Sequence, residues 1–471
     1  MLDGQLTGAG LMFNGGDGRD TLFGSQFERA DLSQATLSGI DEIKGFAGGL
    51  ILTAGQLTAL DAIDSGNIQL AHGGTVDLSG TAIRAPSLYL AFVKATTLTL
   101  AASTLDTASG TLSVFSGTVF GGKNDDRLTL VAGTSGVSET GITLNGWSGD
   151  DTLISAVGNP DFSAFYGSTV LIGGEGRDEL YASSYISTFK ILAASDVVAG
   201  EVYQGTLGPL GYGGTYMDGT TVATLTDFSQ VTLSAIDTFV GFSGGLVLTV
   251  GQLAHGRFDT GRLTVADGGD IGDISVSGDA LKLSDFGNRV GLANYSSEGF
   301  DGTVTGGAGD DNVDIFAFGY HAGAPYADVR LFGRGGNDNL NVDIGNATLS
   351  GGSGNDTLSG GYESSTLMTG GEGDDVFRIN FLDGGTDRIT DFSGLRTDLV
   401  GDVIAFADRN RPEPINYIGA HGFYGTGALE IRYSQQKGML VMDRDGDGHA
   451  DGTIVLTGMT DATDLTQADF L

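Results

Sequence analysis

The 471-residue sequence contains no cysteine, six prolines, one tryptophan and 23 basic residues against 59 acidic ones. Without cysteine there is neither a disulfide framework nor a thiolate metal site, so stability comes from another source. The shortage of basic residues leaves a net charge of −36. That excludes nucleic acid as a partner, which requires a basic face, and disfavours anionic membrane surfaces. Self-repulsion of this size opposes a compact state unless cations offset it. No run of 18 apolar residues occurs, so no helical membrane span is predicted. The opening Met1-Leu-Asp-Gly-Gln5 lacks the basic and apolar segments of a classical signal peptide. Either export uses another signal or the chain is a fragment of a larger protein.

Glycine, by contrast, reaches 81 residues, more than twice the usual share of about 7%. With 40% apolar residues, 25 Phe and 14 Tyr, the chain is too hydrophobic for disorder. Its glycines therefore serve turns in a folded, turn-dense protein. A nine-residue pattern, Gly-Gly-x-Gly-x-Asp-x-U-x with U apolar, recurs in full from Gly15, Gly173, Gly306, Gly351 and Gly370. Copies from Gly121, Gly146 and Gly333 depart at one place each, with Asn124, Trp147 and Arg334 standing for a glycine.

The spacing of the copies predicts architecture. Gly333, Gly351 and Gly370 are 18 and 19 residues apart, and eighteen residues are two nonapeptides, or one coil of a flattened solenoid. Separations of 25 and 27 residues, between Gly121, Gly146 and Gly173, read as single coils with a longer opposite loop. The 27 residues from Gly306 to Gly333 read the same way, with Gly319–Tyr326 as that loop. A longer duplication lies beneath. Residues 36–57 and 232–253 are identical at 15 of 22 positions, at a constant offset of 196. The fold class expected is all-β: a parallel β-solenoid in two similar halves with a small C-terminal β-rich cap. Residues 1–170 form the first half, with metal turns at 121–154. Residues 171–380 form the second, with metal turns at 173–181 and 306–378, and 381–471 form the cap. Short helices are expected only at Gln56–Asp61 and near Asp464–Phe470.

Each place in the motif has a chemical reason. Glycines admit positive φ and let backbone carbonyls face inward. The eighth, apolar residue starts the next strand and points into the core. The sixth place supplies a carboxylate, and it is Asp in every copy: Asp20, Asp126, Asp151, Asp178, Asp311, Asp338, Asp356 and Asp375. The fifth place varies. A turn that merely favoured Asp for its geometry would accept Asn or Ser at the sixth. Coils about 4.8 Å apart could share one Ca²⁺, which takes six to eight oxygens at about 2.3–2.6 Å. The expected metal residues are these Asp side chains with Gly121, Gly146, Gly173, Gly306, Gly309, Gly333, Gly336, Gly351, Gly354, Gly370 and Gly373. Asp20 has no motif neighbour within 100 residues and reads as isolated.

These repeats resemble the RTX family of hemolysin-type calcium-binding proteins. The resemblance implies a parallel β-roll, several bound Ca²⁺ ions, export through a type I secretion channel and folding on meeting external calcium. Gly384–Phe392 is similar to the closing turn of such arrays, with Asp387 and Asp391 as candidate last ligands, and residues 381–471 would carry the export signal. Asp443, Asp445, Asp447, Gly448 and Asp451 follow EF-hand spacing, but Ile454 stands where the bidentate Glu belongs. An Asp-Gly hairpin turn explains the same residues.

Enzyme signatures are weak. Gly241-Phe-Ser-Gly-Gly245 matches the G-x-S-x-G nucleophile elbow, yet its duplicate, Gly45–Gly49, carries Ala47 in place of Ser243. The five histidines, His72, His255, His321, His421 and His449, are scattered. Trp147 either caps its turn or stacks on a sugar. No enzymatic activity is expected. The function expected is that of a secreted, extracellular structural protein (surface-layer, adhesin or matrix component). It would self-associate on calcium and touch cell-surface polysaccharide. The alternatives are the calcium-binding export portion of a larger toxin or hydrolase, and a polysaccharide-acting β-helix enzyme.

Overall fold

The computed structural model describes residues 10–24, 29–90, 94–101, 103–106, 111–131, 140–156, 168–182, 186–205, 214–253, 257–260, 262–276, 280–284, 287–294, 302–317, 329–343, 345–361, 365–380, 386–394, 401–406, 415–459 and 464–471. The Gly319–Tyr326 loop, His255 and His321 lie outside them. The chain is nearly all β and builds long parallel sheets, as a solenoid requires. It divides into two compact units, Met1–Gly244 and Gly245–Leu471.

In the first unit one parallel sheet runs through Leu50–Leu52, Ile68–Leu70, Ser87–Tyr89, Thr118–Phe120, Thr140–Ser148, Ser168–Glu175, Ile186–Lys190, Gly214–Asp218 and Thr238–Phe242. A second runs through Thr75–Leu78, Thr97–Ala101, Arg127–Val131, Thr152–Ala156, Glu179–Ala182, Val202–Gln204 and Thr232–Ser234. The chain alternates between the two sheets, so each coil contributes one strand to either. A third, short ladder joins Thr21–Phe23, Glu42–Lys44, Ala62–Asp64 and Ala82–Arg84.

The second unit repeats the scheme. One sheet runs from Leu246–Leu248 through Arg262–Val265, Ala280–Lys282, Thr303–Thr305, Val329–Gly335, Ala347–Ser353 and Thr366–Glu372 to Asp387–Ile389. Its partner runs from Gly269–Val276 through Asn288–Asn294, Asn312–Ala317, Asn339–Val342, Thr357–Ser359 and Val376–Ile379 to Val403–Phe406. The C-terminal cap then departs from the parallel rule. Gly452–Leu456 pairs in parallel with Asp387–Ile389, and Met439–Asp443 and Glu430–Ser434 add an antiparallel meander.

The core follows from the strand period of two. The eighth-place residues Leu128, Leu153 and Leu180 share one register in the first unit, and Val313, Leu340, Leu358 and Phe377 share one in the second. All are buried. Each such side chain contributes about 1.5–3 kcal/mol of burial, and a one-residue slip would turn the whole file outward.

The duplicated segment adopts the same local structure in both copies. Gly39 (φ 60°) corresponds to Ala235 (φ 54°), and the helices Ala54–Thr58 and Val250–Leu253 follow equivalent strands. Gln56 and Gln252 both cap their helix by accepting a backbone N–H three residues back, from Thr53 at 2.7 Å and Thr249 at 2.8 Å. The second expected helix is a 3-10 turn at Gln467–Asp469.

Two motif departures carry strain. Trp147 (φ 77°) and Arg334 (φ 75°) occupy the second glycine place in the left-handed region, which costs a residue with a Cβ about 1–2 kcal/mol. Arg334→Gly should raise the stability of the folded chain by up to about 1 kcal/mol, after the added freedom of the unfolded glycine is subtracted. Urea midpoints of the two proteins check this, and a loss of stability would show that the Arg334 side chain makes a compensating contact.

Candidate metal centre

The motif turns bring the sixth-place Asp residues of each unit onto one edge, in adjacent rungs. In the first unit the Asp126 N–H donates to Asp151 Oδ1 at 2.7 Å, and the Asp151 N–H to Asp178 Oδ1 at 2.9 Å. In the second, Asp311 donates to Asp338 (2.8 Å), Asp338 to Asp356 (2.7 Å) and Asp356 to Asp375 (2.9 Å). All seven of these Asp residues are buried. Each carboxylate thus satisfies the backbone of the coil before it through one oxygen.

The second oxygen decides what the rungs can hold. Oδ2 of Asp151, Asp178, Asp338, Asp356 and Asp375 is buried and has no hydrogen-bond partner. Among the described residues, ten buried side-chain atoms lack a partner, and seven are carboxylate oxygens on rungs of this kind. Native structures leave few such atoms, so the concentration is not incidental. Each Oδ2 occupies the space where a Cβ on the first-place glycine would stand. A Cβ on Gly351 would collide with Asp356 Oδ2, and the same holds for Gly146, Gly173, Gly333 and Gly370. Backbone carbonyls of the next coil converge there too: Gly173 O lies 2.6 Å from a Cβ built on Gly146, and Gly351 O 2.7 Å from one on Gly333. The neighbourhood is rich in oxygen, and its carboxylate oxygen lacks a donor. A hard, oxygen-seeking divalent cation fits such a set, and a soft metal does not. Asp Oδ2 and first-place glycine carbonyls are the groups that would hold Ca²⁺.

Electrostatics agree. Burial pushes the Asp151 carboxyl up to about 9 and Asp338 to about 7, and neighbouring rung charges add to the rise. Burial raises Asp178 to about 6, with Asp150 and Asp196 adding to the rise, and Asp375 to about 6, with Asp402, Asp356 and Asp391 adding. Asp126, Asp356 and Asp402 are also raised by burial.

The first turn of each stack is different. Asp126 Oδ2 accepts the Gly122 N–H at 2.6 Å and Asp311 Oδ2 the Gly307 N–H at 3.0 Å, so the second oxygen of each is taken by its own turn. Asn124 is not in the left-handed region, which removes the need for glycine at its place. Gly336, Gly354 and Gly373 do take positive φ, at 101°, 123° and 132°, whereas Gly309 does not.

Several rungs lie outside the nonapeptide pattern. Asp20, which the motif spacing marks as isolated, has a stacked neighbour after all. Its N–H donates to Asp41 Oδ2 at 2.7 Å, and its own Oδ2 is buried without a partner. Asp41 keeps the third glycine and the acid-x-apolar part of the motif, in Gly39-Ile40-Asp41-Glu42-Ile43, but lacks the leading pair of glycines. The rung after Asp375 belongs to Asp402, which accepts the Asp375 N–H at 3.0 Å and the Ser393 N–H at 2.7 Å. Asp387 stands in the opposite sheet and accepts the Thr366 N–H at 3.0 Å. Asp391 accepts from Gly370 (3.0 Å) and Gly371 (2.9 Å). The rung after Asp178 belongs to Glu201.

The fifth place forms a second, exposed ladder running the other way. Asp150 donates to Asp125 Oδ1 (2.9 Å), Asn337 to Asp310 (2.6 Å), Asn355 to Asn337 (2.8 Å) and Asp374 to Asn355 (2.9 Å). Arg177, on the last motif turn of the first stack, donates its N–H to Asp150 Oδ1 and sets its guanidinium 3.8 Å from Asp150.

Asp443, Asp445 and Asp447 bring carboxylate oxygens within 4.8 Å of one another in the hairpin after Met439–Asp443. The buried Asp443 there accepts from Gly446 (2.8 Å), Asp447 (3.1 Å) and Gly448 (2.7 Å), so the loop itself uses its oxygens. Ser243 donates its hydroxyl to the Val222 carbonyl at 3.3 Å, and the strand Leu246–Leu248, not a helix, follows it. Trp147 packs edge-on against Phe120, with ring centroids 6.3 Å apart.

No protein-family model matches the chain, and no curated protein matches it.

Asp151→Asn should separate the two roles of the carboxylate. Asn keeps the Oδ1 acceptor and removes the buried charge. Without metal at pH 8 the variant should be more stable than the parent, by about 1–3 kcal/mol, yet gain less from Ca²⁺. For the metal-free parent the folded pKa values lie above the unfolded value of about 3.9. Their stabilising contribution is full below that value and is lost as pH rises through about 6 to 9. The parent should therefore weaken between pH 5 and pH 9 in EGTA and much less so in Ca²⁺. Thermal midpoints over that range test both statements, and an Asp151→Asn protein weaker than the parent in EGTA at pH 8 would contradict them.

Proposed function

We propose that this chain is a secreted calcium-binding protein of the RTX kind with a structural role outside the cell, as a surface-layer, adhesin or matrix component. Ca²⁺ uptake completes its folding and leads to self-association. The observation that supports this reading most is the file of buried carboxylate oxygens without donors, each set against a first-place glycine. Leaving a charge buried and unpaired costs several kcal/mol, and a divalent ion between rungs removes that cost at several places at once. Metal binding free energy then becomes folding free energy.

The surroundings suit such a role. With charge −36, monomers repel until cations screen and neutralise them. A groove of about 510 Å³ on the second unit is lined by Asp314, Asn341, Asp343, Arg378 and Phe406. Its polar side chains and aromatic edge suit a hydroxyl-rich polymer, in keeping with contact to cell-surface polysaccharide.

Affinity should be weak, roughly 10⁻⁴–10⁻³ M, as for extracellular modules. At tenfold excess over Kd each ion adds about 1.4 kcal/mol. Far-UV circular dichroism and melting in EGTA and in Ca²⁺ test the coupling: an unchanged spectrum and midpoint would remove the calcium reading. Light scattering across a calcium series should show assembly that reverses with chelator. A folded chain that stays monomeric at millimolar Ca²⁺ and high protein concentration would instead favour the export-portion reading. Loss of viscosity in an anionic polysaccharide would favour an enzyme.

A further inference from the structure

The first stack ends on an acidic side chain that the nonapeptide does not contain. Glu201 follows the 3-10 turn Ala194–Asp196 and precedes the strand Val202–Gln204. Val202 pairs with Glu179, and its N–H donates to the Asp178 carbonyl at 2.9 Å. Glu179 makes the equivalent bond to Asp151, and Thr152 to Asp126, each at 2.8 Å. Glu201 therefore holds the register of a sixth-place Asp, in a turn without the motif's paired glycines.

The fold uses part of its carboxylate, since the Tyr203 hydroxyl and the backbone N–H groups of Val198 and Asp178 act on it against the effect of burial. Glu201 is 0% exposed. Oε2 accepts the Tyr203 hydroxyl at 2.8 Å, and Oε1 is buried with no partner. Asp178 Oδ2, one rung before, is in the same condition. The charge of Asp178 is felt at both Glu201 and the Tyr203 hydroxyl, and that of Asp196 at both Asp178 and Tyr203. Asp178, Asp196 and Glu201 thus make a local concentration of negative charge. The oxygens of Asp196 take the Ala193 N–H at 2.9 Å and the Ser195 hydroxyl at 3.4 Å, so it contributes field more than ligand atoms. The Arg177 guanidinium is turned to Asp150. At the corresponding end of the second stack, both oxygens of Asp402 are engaged. The two stacks end differently, and only the first leaves a free buried oxygen.

We propose that Glu201 Oε1 and Asp178 Oδ2 are the carboxylate ligands of an additional divalent-cation site at the end of the first stack, and that the site takes Ca²⁺. The proposal rests on reading the Asp rungs as calcium sites. All-oxygen donors and a local excess of negative charge select a hard cation. The extra methylene of Glu over Asp extends the reach of the carboxylate, in a turn where no paired glycine carbonyls converge.

The test uses the full chain and counts bound ions by native mass spectrometry and equilibrium dialysis. Glu201→Gln, folded in Ca²⁺, should carry one ion fewer than the parent. Tyr203→Phe should keep the parent count. With Tb³⁺ in place of Ca²⁺, Tyr203→Phe should lose part of the emission excited through tyrosine, because Tyr203 touches the ligand carboxylate. A Glu201→Gln protein with the parent ion count overturns the site. If Glu201→Gln does not fold, Tyr203→Phe decides, and unchanged tyrosine-excited emission overturns the site equally. A parent that binds no calcium removes the general reading as well. A parent that binds calcium while Glu201→Gln loses no ion removes this site alone.

Discussion

One carboxylate with two tasks organises each stack. On the inner rungs the sixth-place Asp gives one oxygen to the backbone N–H of the preceding coil and leaves the other among carbonyls. Asn could perform the first task but would set an amide NH₂ where the second oxygen stands. That oxygen fills the space of a first-place Cβ, so any residue but glycine there collides with it. The unvarying Asp and the unvarying first glycine are therefore a single constraint seen from two positions. Charge-assisted hydrogen bonds of this kind contribute about 1.5–3 kcal/mol each, while an unpaired buried charge costs several. Hydrogen bonding alone does not close that gap, and the rungs stay coupled to whatever neutralises them.

The fifth place shows the same logic in reverse. Its Asx side chains accept from the coil that follows, while the sixth-place Asp accept from the coil that precedes, so neighbouring turns are tied in both directions. An acceptor is needed at the fifth place only where another motif turn follows. Arg177 sits on the last motif turn of its stack and can be a donor instead. What looks variable in the sequence is a ladder with a permitted exception at its end.

Much of the architecture was legible in the sequence because it is local. The motif spacing set the coil length and the eighth-place residues marked the core file; the duplication of 36–57 in 232–253 was visible too, although a helix was expected in the first copy alone and the structure has one in both. Asp41, Glu201 and Asp402 were not legible as rungs, because register rather than local pattern puts them there. Coils of 18 to 27 residues give no fixed count by which to find the next rung. A residual signal exists: Gly200-Glu201-Val202-Tyr203 and Gly401-Asp402-Val403-Ile404 both keep Gly-acid-x-apolar. Without the paired glycines, that fragment is too short to stand out among 59 acidic residues. The same limit made Asp20 look isolated, since Asp41 has Thr36 and Leu37 in place of the motif's leading pair of glycines.

The boundaries of each stack follow from hydrogen-bond saturation. Asp126 and Asp311 open their stacks with both oxygens engaged, one by the preceding coil (Thr96 N–H at 2.6 Å, Asn288 N–H at 2.7 Å) and one by their own turn. Asp402 closes the second stack in the same saturated state. Between such rungs every carboxylate has an oxygen to spare. A repeat array transmits stability through nearest neighbours, so rungs that share cations would gain or lose order together, while saturated rungs decouple them from the coils beyond. The unsaturated Glu201 breaks this symmetry. If its free oxygen takes a cation, cation-dependent order in the first unit extends one coil past its last glycine-rich turn, to the strand that begins at Val202, whereas in the second unit it stops at Asp402.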